Sequence, residues 1–529
     1  LVHNKTNHLI HEYSQYLKEL DFIWLEKMIW NFAYSHNYRL MKYSESQSIH
    51  DHVDKNPFIF GSASLSLNDG YEGGLFRFFK GKHEVRTKKR QGMIWPAENY
   101  FVHGVEPITK DVRWSVNSFL GIEECVENFQ KAVKANPKNN RAYSNYLFNL
   151  NYLTKYDGNY YIEEAKKFGL SLKKIDDQLC IPYKYNVNPK KLTVGFVSAD
   201  LRNHPVGYYL IDTLKYLKKK NIKLVAYHNS TKTDDLTEKL KRHFDIWYNI
   251  KDKNDLKVIN LIRENGVHIL IDMSGHTKKN RLPIFINKPA PIQVTWIGYN
   301  ASTGLKEIDY IIGDQYVTPL ENKNQFTENI LQLPNIWSCL SKPAFKIKKE
   351  NSSPALKNGF ITFGSFNNLS KINDNVIDIW SEILKRVENS KLFLKAKELD
   401  NLKMVENIRK KFQKNGISAE KIITEGRSKT REEMLKKYNQ IDIALDPFPY
   451  SGITTSFESA WMGVPLYVLN GNNFYSRTGI SINKNLGMED WIANNEKDYI
   501  SKAISKSSDL KKLFQTKKKL RNKFLKSPL

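Results

Sequence analysis

Residues 441–465 read Ile441-Asp-Ile-Ala-Leu-Asp-Pro-Phe-Pro-Tyr-Ser-Gly-Ile-Thr-Thr-Ser-Phe-Glu-Ser-Ala-Trp-Met-Gly-Val-Pro465. The apolar run at the start predicts a buried parallel strand. A turn rich in proline and glycine follows, and Gly452-Ile-Thr454-Thr455 then opens a predicted helix. The first turn of a helix presents unpaired N–H groups and the positive end of the helix dipole. This helix start therefore favours phosphate binding.

Polar side chains around the helix start add to this interpretation. The hydroxyls of Thr454 and Thr455 supply further donors, and Glu458 lies one turn inside the helix, where it can accept hydrogen bonds from sugar hydroxyls. A strand, a glycine turn, a hydroxylated helix start and an acid are typical of a nucleotide-sugar pocket. An ordinary strand–helix unit with a threonine N-cap would show the same pattern, so both interpretations stay open at this point.

The bulk composition describes a globular chain. Its 529 residues are 40% hydrophobic and 12% aromatic, enough for more than one core. Cys125, Cys180 and Cys339 lie far apart, which argues against a disulfide framework or a zinc site and favours the cytoplasm. No apolar run reaches the length of a membrane span, so no membrane partner is expected. The chain starts at Leu1 without a signal-peptide pattern, which leaves open that it is a fragment.

The formal net charge of +26 raises the question of a nucleic-acid partner. The basic residues are spread along the chain, and the dense runs 88–90, 218–220 and 511–526 are not interleaved with aromatic residues as in single-strand binding proteins. A lysine-rich surface accounts for the charge, so nucleic acid is not expected as a partner. A steep salt dependence of DNA binding would favour the opposite interpretation.

The residue patterns divide the chain into four regions. Residues 1–35 predict helices, 36–120 predict short strands, 121–175 predict helices again, and a β-α alternation begins near 190. Residues 125–143 resemble the second helix of a tetratricopeptide repeat and the start of the next repeat. Such units need neighbours to bury their faces, so we expect residues 121–188 to form a helical connector.

The region after residue 190 predicts ten strands with helical patterns between them. The strand candidates are Leu192–Val197, Lys223–Tyr227, His268–Asp272, Gln293–Ile297, Tyr310–Ile312, Ile361–Phe366, Lys391–Lys395, Lys421–Ile423, Ile441–Leu445 and Leu466–Leu469. A break at 341–357, rich in Lys, Ser, Asn and Pro, divides them into two sets. The pattern predicts a multidomain α/β protein with two doubly wound lobes, 189–345 and 346–529. Ligands then bind beyond the carboxyl ends of the strands.

A collinear series of motifs carries a family resemblance. The motifs are Val194-Gly-Phe-Val-Ser-Ala-Asp-Leu-Arg-Asn-His-Pro205, Asp272-Met-Ser-Gly-His-Thr277, Pro289-Ala-Pro-Ile-Gln-Val-Thr-Trp-Ile-Gly-Tyr299, Ile308-Asp-Tyr-Ile-Ile312, Phe366-Asn-Asn-Leu-Ser-Lys-Ile372, Trp380-Ser-Glu-Ile-Leu-Lys-Arg-Val387 and the opening stretch. Together they resemble the catalytic region of the O-linked N-acetylglucosamine transferases, including the bacterial and Spindly-type members. The resemblance implies two Rossmann-like lobes of GT-B type. It also implies a metal-independent, inverting transfer of a sugar, with UDP-GlcNAc as the expected donor, to Ser/Thr hydroxyls of a protein or peptide.

The resemblance assigns roles at the donor site. Lys371 matches the family lysine that contacts the β-phosphate, and positive charge suits a diphosphate leaving group. Asn368 falls where a side-chain amide lies near the phosphate. Thr454 and Thr455 match the paired threonines at the phosphate, and Glu458 matches an acid that contacts the ribose. Taken alone, Lys371 would also fit a solvated lysine at a helix start.

Two histidines match family positions, while other positions depart from the pattern. His204 is a candidate general base or acceptor-positioning group, and His276 matches a second active-site histidine of bacterial relatives. A hydrogen-bonded loop histidine remains the alternative for His204. Ile453 stands where eukaryotic enzymes carry a histidine, Met434 replaces a histidine near uracil, and Gly298-Tyr-Asn-Ala301 replaces Gly-Tyr-Pro-Gly. These departures leave GDP-fucose, or another UDP-sugar, as an alternative donor.

A second resemblance covers residues 38–120. The motifs are Ile49-His-Asp-His-Val-Asp54, Leu65-Ser-Leu-Asn-Asp-Gly-Tyr-Glu-Gly-Gly-Leu75, Val102-His-Gly-Val-Glu-Pro-Ile-Thr109 and Arg113-Trp-Ser. They resemble the 2-oxoglutarate- and Fe(II)-dependent dioxygenases of the prolyl-hydroxylase-like branch. The resemblance implies a β-rich double-stranded-helix (jelly-roll) domain over residues 1–120 and leaves open whether that domain is complete at its amino end.

The second resemblance implies an iron site. His52, Asp54 and His103 would form the facial triad, and two histidines with one carboxylate leave open positions for 2-oxoglutarate and oxygen. Arg113 matches the family arginine that pairs with the distal carboxylate of 2-oxoglutarate. His50 competes as a ligand only if the register shifts by two. The sequence thus predicts a two-activity enzyme, against the alternative of a scaffold in which one domain only binds.

Overall fold

The computed structural model describes residues 38–43, 49–52, 61–66, 68, 71–78, 83–86, 88, 92–96, 103–110, 113–120, 122–343, 345, 347 and 353–529. The chain divides into two compact units, 1–124 and 125–529, and each is described by itself. The helices predicted for residues 1–35 lie outside the described residues. Within the described ranges, no helix is both long enough and apolar enough to cross a membrane.

The first unit is built from short antiparallel strands. These are β1 (Tyr38–Tyr43), β2 (Ile49–His52), β3 (Gly61–Ser66), β4 (Glu72–Gly73), β5 (Phe76–Phe78), β6 (His83–Val85), β7 (Gly92–Pro96), β8 (His103–Val105), β9 (Ile108–Lys110) and β10 (Arg113–Leu120). Two four-stranded sheets have the orders β1-β10-β3-β7 and β2-β8-β5-β6, and β4 pairs with β9. Phe76 and Val105 are register partners across β5 and β8 and are buried. The predicted change to short strands is confirmed for the described residues, while the jelly-roll stays a prediction.

Three helices follow and form what we call the connector helices: Ile122–Ala135, Asn140–Leu150 and Gly158–Ser171. Side chains cap two of them, because Asn139 accepts a hydrogen bond from the Ala142 N–H and Asp157 accepts one from the Tyr160 N–H. Tyr143 packs edge-on against Phe168, and both are buried. The predicted helical region is confirmed; its likeness to a tetratricopeptide repeat stays a prediction.

The amino-terminal lobe contains a seven-stranded parallel sheet. Its strands are β11 (Leu192–Ser198), β12 (Ile222–His228), β13 (Ile246–Asn249), β14 (Ile269–Asp272), β15 (Ile292–Thr295), β16 (Tyr310–Asp314) and β17 (Asn329–Leu333), in the order β13-β12-β11-β14-β15-β16-β17. Its α-helices are Pro205–Lys218, Asp235–Lys241, Asp255–Glu264 and Leu282–Phe285. Residues 224–227 are completely buried, as expected for a strand covered by helices on both faces.

The carboxyl-terminal lobe contains a six-stranded parallel sheet. Its strands are β18 (Ile361–Ser365), β19 (Ser390–Lys395), β20 (Ile422–Glu425), β21 (Ile443–Leu445), β22 (Leu466–Leu469) and β23 (Ile492–Ala493), in the order β20-β19-β18-β21-β22-β23. Its α-helices are Pro354–Asn358, Asp374–Arg386, Leu402–Lys414, Arg431–Lys436, Thr454–Trp461, Phe474–Asn485, Glu496–Ser508 and Leu510–Lys526, and a short 3₁₀ turn spans Leu369–Lys371.

Each parallel sheet reverses its strand order once, and the predicted site residues follow the strands at these points. In the amino-terminal sheet the reversal lies between β11 and β14, which lead into the segments carrying His204 and His276. In the carboxyl-terminal sheet it lies between β18 and β21, which lead to Lys371 and Thr454. Ligands of doubly wound sheets bind at such switch points. The prediction of two parallel α/β lobes is confirmed.

Candidate functional site

The helix Thr454–Trp461, which we call the donor-site helix, begins without a side-chain cap. Ile453 holds the N-cap position and makes no capping hydrogen bond, so Thr454 and Thr455 are the first two helical residues. The alternative in which a threonine caps this helix is therefore wrong. Asp446, at the end of β21, shapes the preceding turn because its Oδ1 accepts from the Gly452 N–H at 2.7 Å and from the Ser456 hydroxyl at 3.1 Å. An uncapped helix start is suited to an anion.

Both threonine hydroxyls are held by residues from other segments. The Tyr209 hydroxyl, from the amino-terminal lobe, donates to Thr454 Oγ1 at 3.1 Å. Thr455 Oγ1 donates to Asn367 Oδ1 at 2.9 Å, and the Tyr438 hydroxyl donates to the Thr455 carbonyl at 3.0 Å. The start of the donor-site helix thus joins the two lobes and the loop after β18.

Lys371 lies beside this helix start. Its Nζ donates to the Ser451 carbonyl at 2.6 Å and lies 4.2 Å from the centroid of the Tyr450 ring. Burial lowers the pKa of Lys371 to about 7, although the Asp446 carboxylate opposes the change. Burial also raises the pKa of Asp446 to about 7. Both shifts have the same cause, because a charged group in a water-poor site loses its hydration.

Asn368 and Glu458 are placed differently from the expectation. The Asn368 side chain is exposed, and its Oδ1 accepts from the Ser370 N–H at 3.0 Å, so it caps the local turn. The neighbouring Asn367 contacts Thr455 instead. Glu458 is buried, and its Oε1 accepts from Nε and Nη2 of Arg431 at 3.2 and 3.0 Å. In this structure the Glu458 carboxylate is therefore engaged by an arginine.

Arg431 connects Glu458 to the amino-terminal lobe. Its guanidinium carbon lies 3.8 Å from the ring centroid of Tyr208, which comes from the helix Pro205–Lys218. Burial raises the pKa of Glu458, while the positive charge of Arg431 lowers it. The Arg431–Glu458 pair thus contacts the amino-terminal lobe one helical turn from Thr454.

His204 occupies the N-cap of the helix Pro205–Lys218. Its Nδ1 accepts from the Val206 N–H at 3.4 Å and lies 4.0 Å from Asp200 Oδ2. The side chain is 36% exposed, and its partial burial lowers the pKa of His204 below the ordinary value. The lowered pKa favours the neutral ring at pH 7. While Nδ1 accepts from the Val206 N–H, that neutral ring carries its proton on Nε2, so action as a general base requires the other tautomer, with an Nδ1–H towards Asp200 and Nε2 without its proton.

His276 is enclosed within the amino-terminal lobe. Its Nε2 lies 3.0 Å from the Thr303 carbonyl, so it carries the proton, and Nδ1 then accepts from the Ser144 hydroxyl at 3.1 Å. The ring is 1% exposed, and burial lowers the pKa of His276 to about 3. Both ring nitrogens are engaged, and Ser144 belongs to a connector helix. These contacts favour a structural role over the expected catalytic one.

The predicted iron-site residues are described only in part. Strands β2 and β8 pair so that His52 lies opposite His103 in the register, whereas His50 does not. Arg113 begins β10, is completely buried, and its guanidinium carbon lies 4.5 Å from the ring centroid of Phe76. Asp54 lies outside the described residues, so the triad stays a prediction.

Several residues of the site were missed from the sequence: Asn367, Asp446, Tyr209, Tyr450 and Arg431. Only Asp446 had a visible signal, since an acid at the carboxyl end of a buried strand lies at the ligand edge of a sheet. Asn367 and Asn368 are adjacent and chemically identical, and only the backbone geometry determines which of them reaches Thr455.

Two parallel-sheet lobes around an uncapped helix start define the class as a glycosyltransferase fold of GT-B type. The chain belongs to glycosyl transferase family 41, whose model matches residues 152–340 and 344–529. The predicted resemblance to the O-linked N-acetylglucosamine transferases and the Spindly-type proteins is thereby confirmed.

Relatives and a solved structure agree with this assignment. A probable UDP-N-acetylglucosamine–peptide N-acetylglucosaminyltransferase SPINDLY of Solanum lycopersicum is 33% identical over 405 residues, which are 75% of this chain and 43% of that protein. The corresponding SPINDLY protein of Eustoma exaltatum subsp. russellianum is 35% identical over 409 residues, with the same coverage of 75% and 43%. A mutant Thermobaculum terrenum O-GlcNAc transferase superposes with a TM-score of 0.71 at 30% identity, covering 77% of each chain. The chain spans less than half the length of these curated relatives.

Proposed function

We propose that residues 125–529 form a protein O-glycosyltransferase that moves N-acetylglucosamine from UDP-GlcNAc to Ser/Thr hydroxyls of a protein or peptide. The observation that carries the proposal is the uncapped start of the donor-site helix with Lys371 beside it. We place the amino-terminal lobe at 189–345 and the nucleotide-sugar-binding lobe at 346–529, joined to the rest by a connector at 121–188.

The proposed roles follow from charge and position. Departure of a nucleoside diphosphate leaves negative charge on the β-phosphate, which the Lys371 ammonium and the N–H groups of Thr454 and Thr455 stabilise. His204 takes the proton of the acceptor hydroxyl while the hydroxyl oxygen attacks the sugar carbon. Glu458 acts on the ribose either directly or by holding Arg431. Since lysine and the helix start provide the positive charge, the mechanism uses no divalent metal.

The donor is chosen among three possibilities: UDP-GlcNAc, GDP-fucose and another UDP-sugar. The names of the similar SPINDLY proteins specify UDP-N-acetylglucosamine, which supports the first. The test is transfer to a peptide library with each nucleotide sugar, read by mass spectrometry in the presence and absence of EDTA. An N-acetylhexosamine mass increment that persists in EDTA supports the proposal. Transfer only with GDP-fucose, or activity that EDTA abolishes and manganese restores, refutes the donor or the metal-free mechanism respectively.

A second candidate function belongs to the first unit, where the register of β2 and β8 brings His52 and His103 opposite each other. We propose that His52, Asp54 and His103 bind Fe(II) and that Arg113 binds 2-oxoglutarate. A guanidinium fork suits a carboxylate. Bound iron would supply oxygen activation. The test is iron binding, followed with Co(II) as a spectroscopic substitute, and succinate formation. Wild type must bind more metal than His103→Ala and must form more succinate than both His103→Ala and Arg113→Ala. Equal metal binding by wild type and His103→Ala, or equal succinate from all three, refutes the site.

A further inference from the structure

A stack of three tyrosines, Tyr152, Tyr450 and Tyr475, links the connector helices to the carboxyl-terminal lobe. The Tyr152 and Tyr450 ring centroids are 4.9 Å apart with an interplanar angle of 12°, and those of Tyr450 and Tyr475 are 5.5 Å apart at 16°. Tyr152 follows the helix Asn140–Leu150, and Tyr450 lies in the turn before the donor-site helix. All three are at most 9% exposed. This tyrosine stack therefore joins segments separated by about 300 positions in the sequence.

The Lys371 ammonium lies over the middle ring of the tyrosine stack. Its Nζ lies 4.2 Å from the Tyr450 centroid, and it also donates to the carbonyl of Ser451, the next residue. Tyr152 also lies near the lysine's own turn: burial raises the pKa of its hydroxyl, and the Ser370 side chain opposes that rise. Tyr152 thus stacks on the ring beneath the Lys371 ammonium and lies near Ser370, the residue that precedes Lys371 in the chain.

We propose that Tyr152 is a positioning residue for sugar transfer. It holds the Tyr450 ring, and through that ring the Lys371 ammonium, so that the connector completes the diphosphate end of the donor site. This inference rests on the proposed function of Lys371. It assigns the segment before the two lobes a part in the transferase reaction, beyond that of a linker.

The physical reason lies in the lysine side chain. A four-carbon stem with rotatable bonds does not place its ammonium by itself, whereas a cation over an aromatic face has a preferred position. The position of Tyr450 is in turn fixed by offset stacking on both neighbours. A misplacement by about 1 Å at a reacting group can reduce the rate by about a hundredfold. Loss of the Tyr152 ring should therefore affect the rate more than donor binding.

The kinetic experiment compares three variants with wild type. Tyr152→Leu removes the aromatic ring, Tyr152→Phe keeps it, and Tyr216→Leu is the matched control because Tyr216 is 68% exposed. We expect Tyr152→Leu to lower kcat at least about tenfold with less than about threefold change in donor KM, and Tyr152→Phe to stay within about threefold of wild type. Tyr450→Leu should lower kcat to the same extent, and the double variant should show no further loss. Additive losses, or an unchanged kcat in Tyr152→Leu, overturn the proposal.

A second measurement needs no substrate and separates this inference from the proposed function. In protein labelled with ¹³C at lysine Cε, the Lys371 signal is assigned by its absence in Lys371→Arg, and its titration is followed by NMR. Wild type should titrate near pH 7, as burial dictates. Tyr152→Leu should raise the midpoint by about 1 pH unit or more, because water then reaches the ammonium. Tyr152→Met, which removes the ring but keeps a flexible apolar side chain, serves if the leucine variant does not fold, and the same rise of the midpoint is expected. An unchanged midpoint refutes the positioning role, whereas a shifted midpoint in a protein that transfers no sugar refutes only the proposed function.

Discussion

Replacing Lys371 with alanine tests the diphosphate end of the proposed donor site. The ammonium lies 2.6 Å from the Ser451 carbonyl, three residues before the uncapped donor-site helix begins at Thr454. A β-phosphate bound at the helix start would therefore lie within direct reach of Nζ. Because its charge increases as the glycosidic bond breaks, the lysine should stabilise the transition state more than the bound donor.

The size of the effect follows from the charge and the surroundings. Two unit charges about 4 Å apart at an effective dielectric constant of about 20 interact by roughly 4 kcal/mol. Removing one preorganised donor to a developing anion costs about 3 kcal/mol. We therefore expect Lys371→Ala to lower kcat by roughly 100- to 1,000-fold while donor KM changes less than about threefold.

The assay is steady-state glycopeptide formation, with the folded fraction of each variant checked by thermal melting. Lys371→Met keeps most of the side-chain volume without the charge, so it should lose as much activity as alanine. Lys511→Ala is the matched control, because Lys511 is exposed on the last helix. If kcat is retained in Lys371→Ala and only KM rises, Lys371 contributes to ground-state binding and the transition-state argument is wrong.

Three further predictions concern the same region. Formation of the UDP complex at pH 8 should be accompanied by proton uptake, and UDP should bind more weakly as the pH rises from 7 to 9, because the diphosphate raises the pKa of Lys371 from about 7. Calorimetry in buffers of different ionisation enthalpy measures the proton uptake, and zero uptake contradicts the prediction. Glu458→Ala should destabilise the protein to urea by about 2 kcal/mol, because it leaves the half-buried Arg431 guanidinium without its carboxylate. The double variant with Arg431→Ala should recover part of the loss. His276→Ala should lower the free energy of unfolding by about 2 to 4 kcal/mol, because it removes two hydrogen bonds and leaves a cavity. Its kcat at low temperature should stay within about tenfold of wild type. A far larger loss of kcat in a fully stable variant would show that His276 is catalytic.

The sequence patterns predicted every strand in the middle of the two parallel sheets, and among the four edge strands only β20. All ten candidates after residue 190 correspond to observed strands, because buried parallel strands are nearly continuous apolar runs. The missed strands are β13, β17 and β23, and each lies at the edge of its sheet. Asn and Gln interrupt the apolar residues at 329–333, and every residue there is exposed or half-buried, so no continuous buried apolar run marks this strand. An edge strand is defined by its single neighbour, which a local pattern does not contain.

The sequence predicted which segments form the site, but not which of their polar atoms are available to a ligand. Strand ends and glycine turns placed His204, Lys371 and the paired threonines at the ligand edges of the two sheets. Whether a polar atom is still available depends on contacts from distant segments. Ser144, more than a hundred residues away, engages His276, and Arg431 engages Glu458. Local sequence therefore supports a statement about where a ligand binds, but not about which side chains are already occupied.

Three electrostatic features of the proposed donor site favour the same kind of ligand, a diphosphate. Lys371 is half-buried and Asp446 is buried, and the loss of hydration disfavours the charged form of each; the donor-site helix also starts without a cap. Each feature is unfavourable in the free protein, since buried charges and open helix ends usually find partners. A diphosphate would pair with the lysine and accept from the helix N–H groups at once. In the proposed reaction these contacts strengthen as the leaving group gains charge. The same arrangement of lysine, carboxylate and uncapped helix start lowers the stability of the protein when no diphosphate is bound.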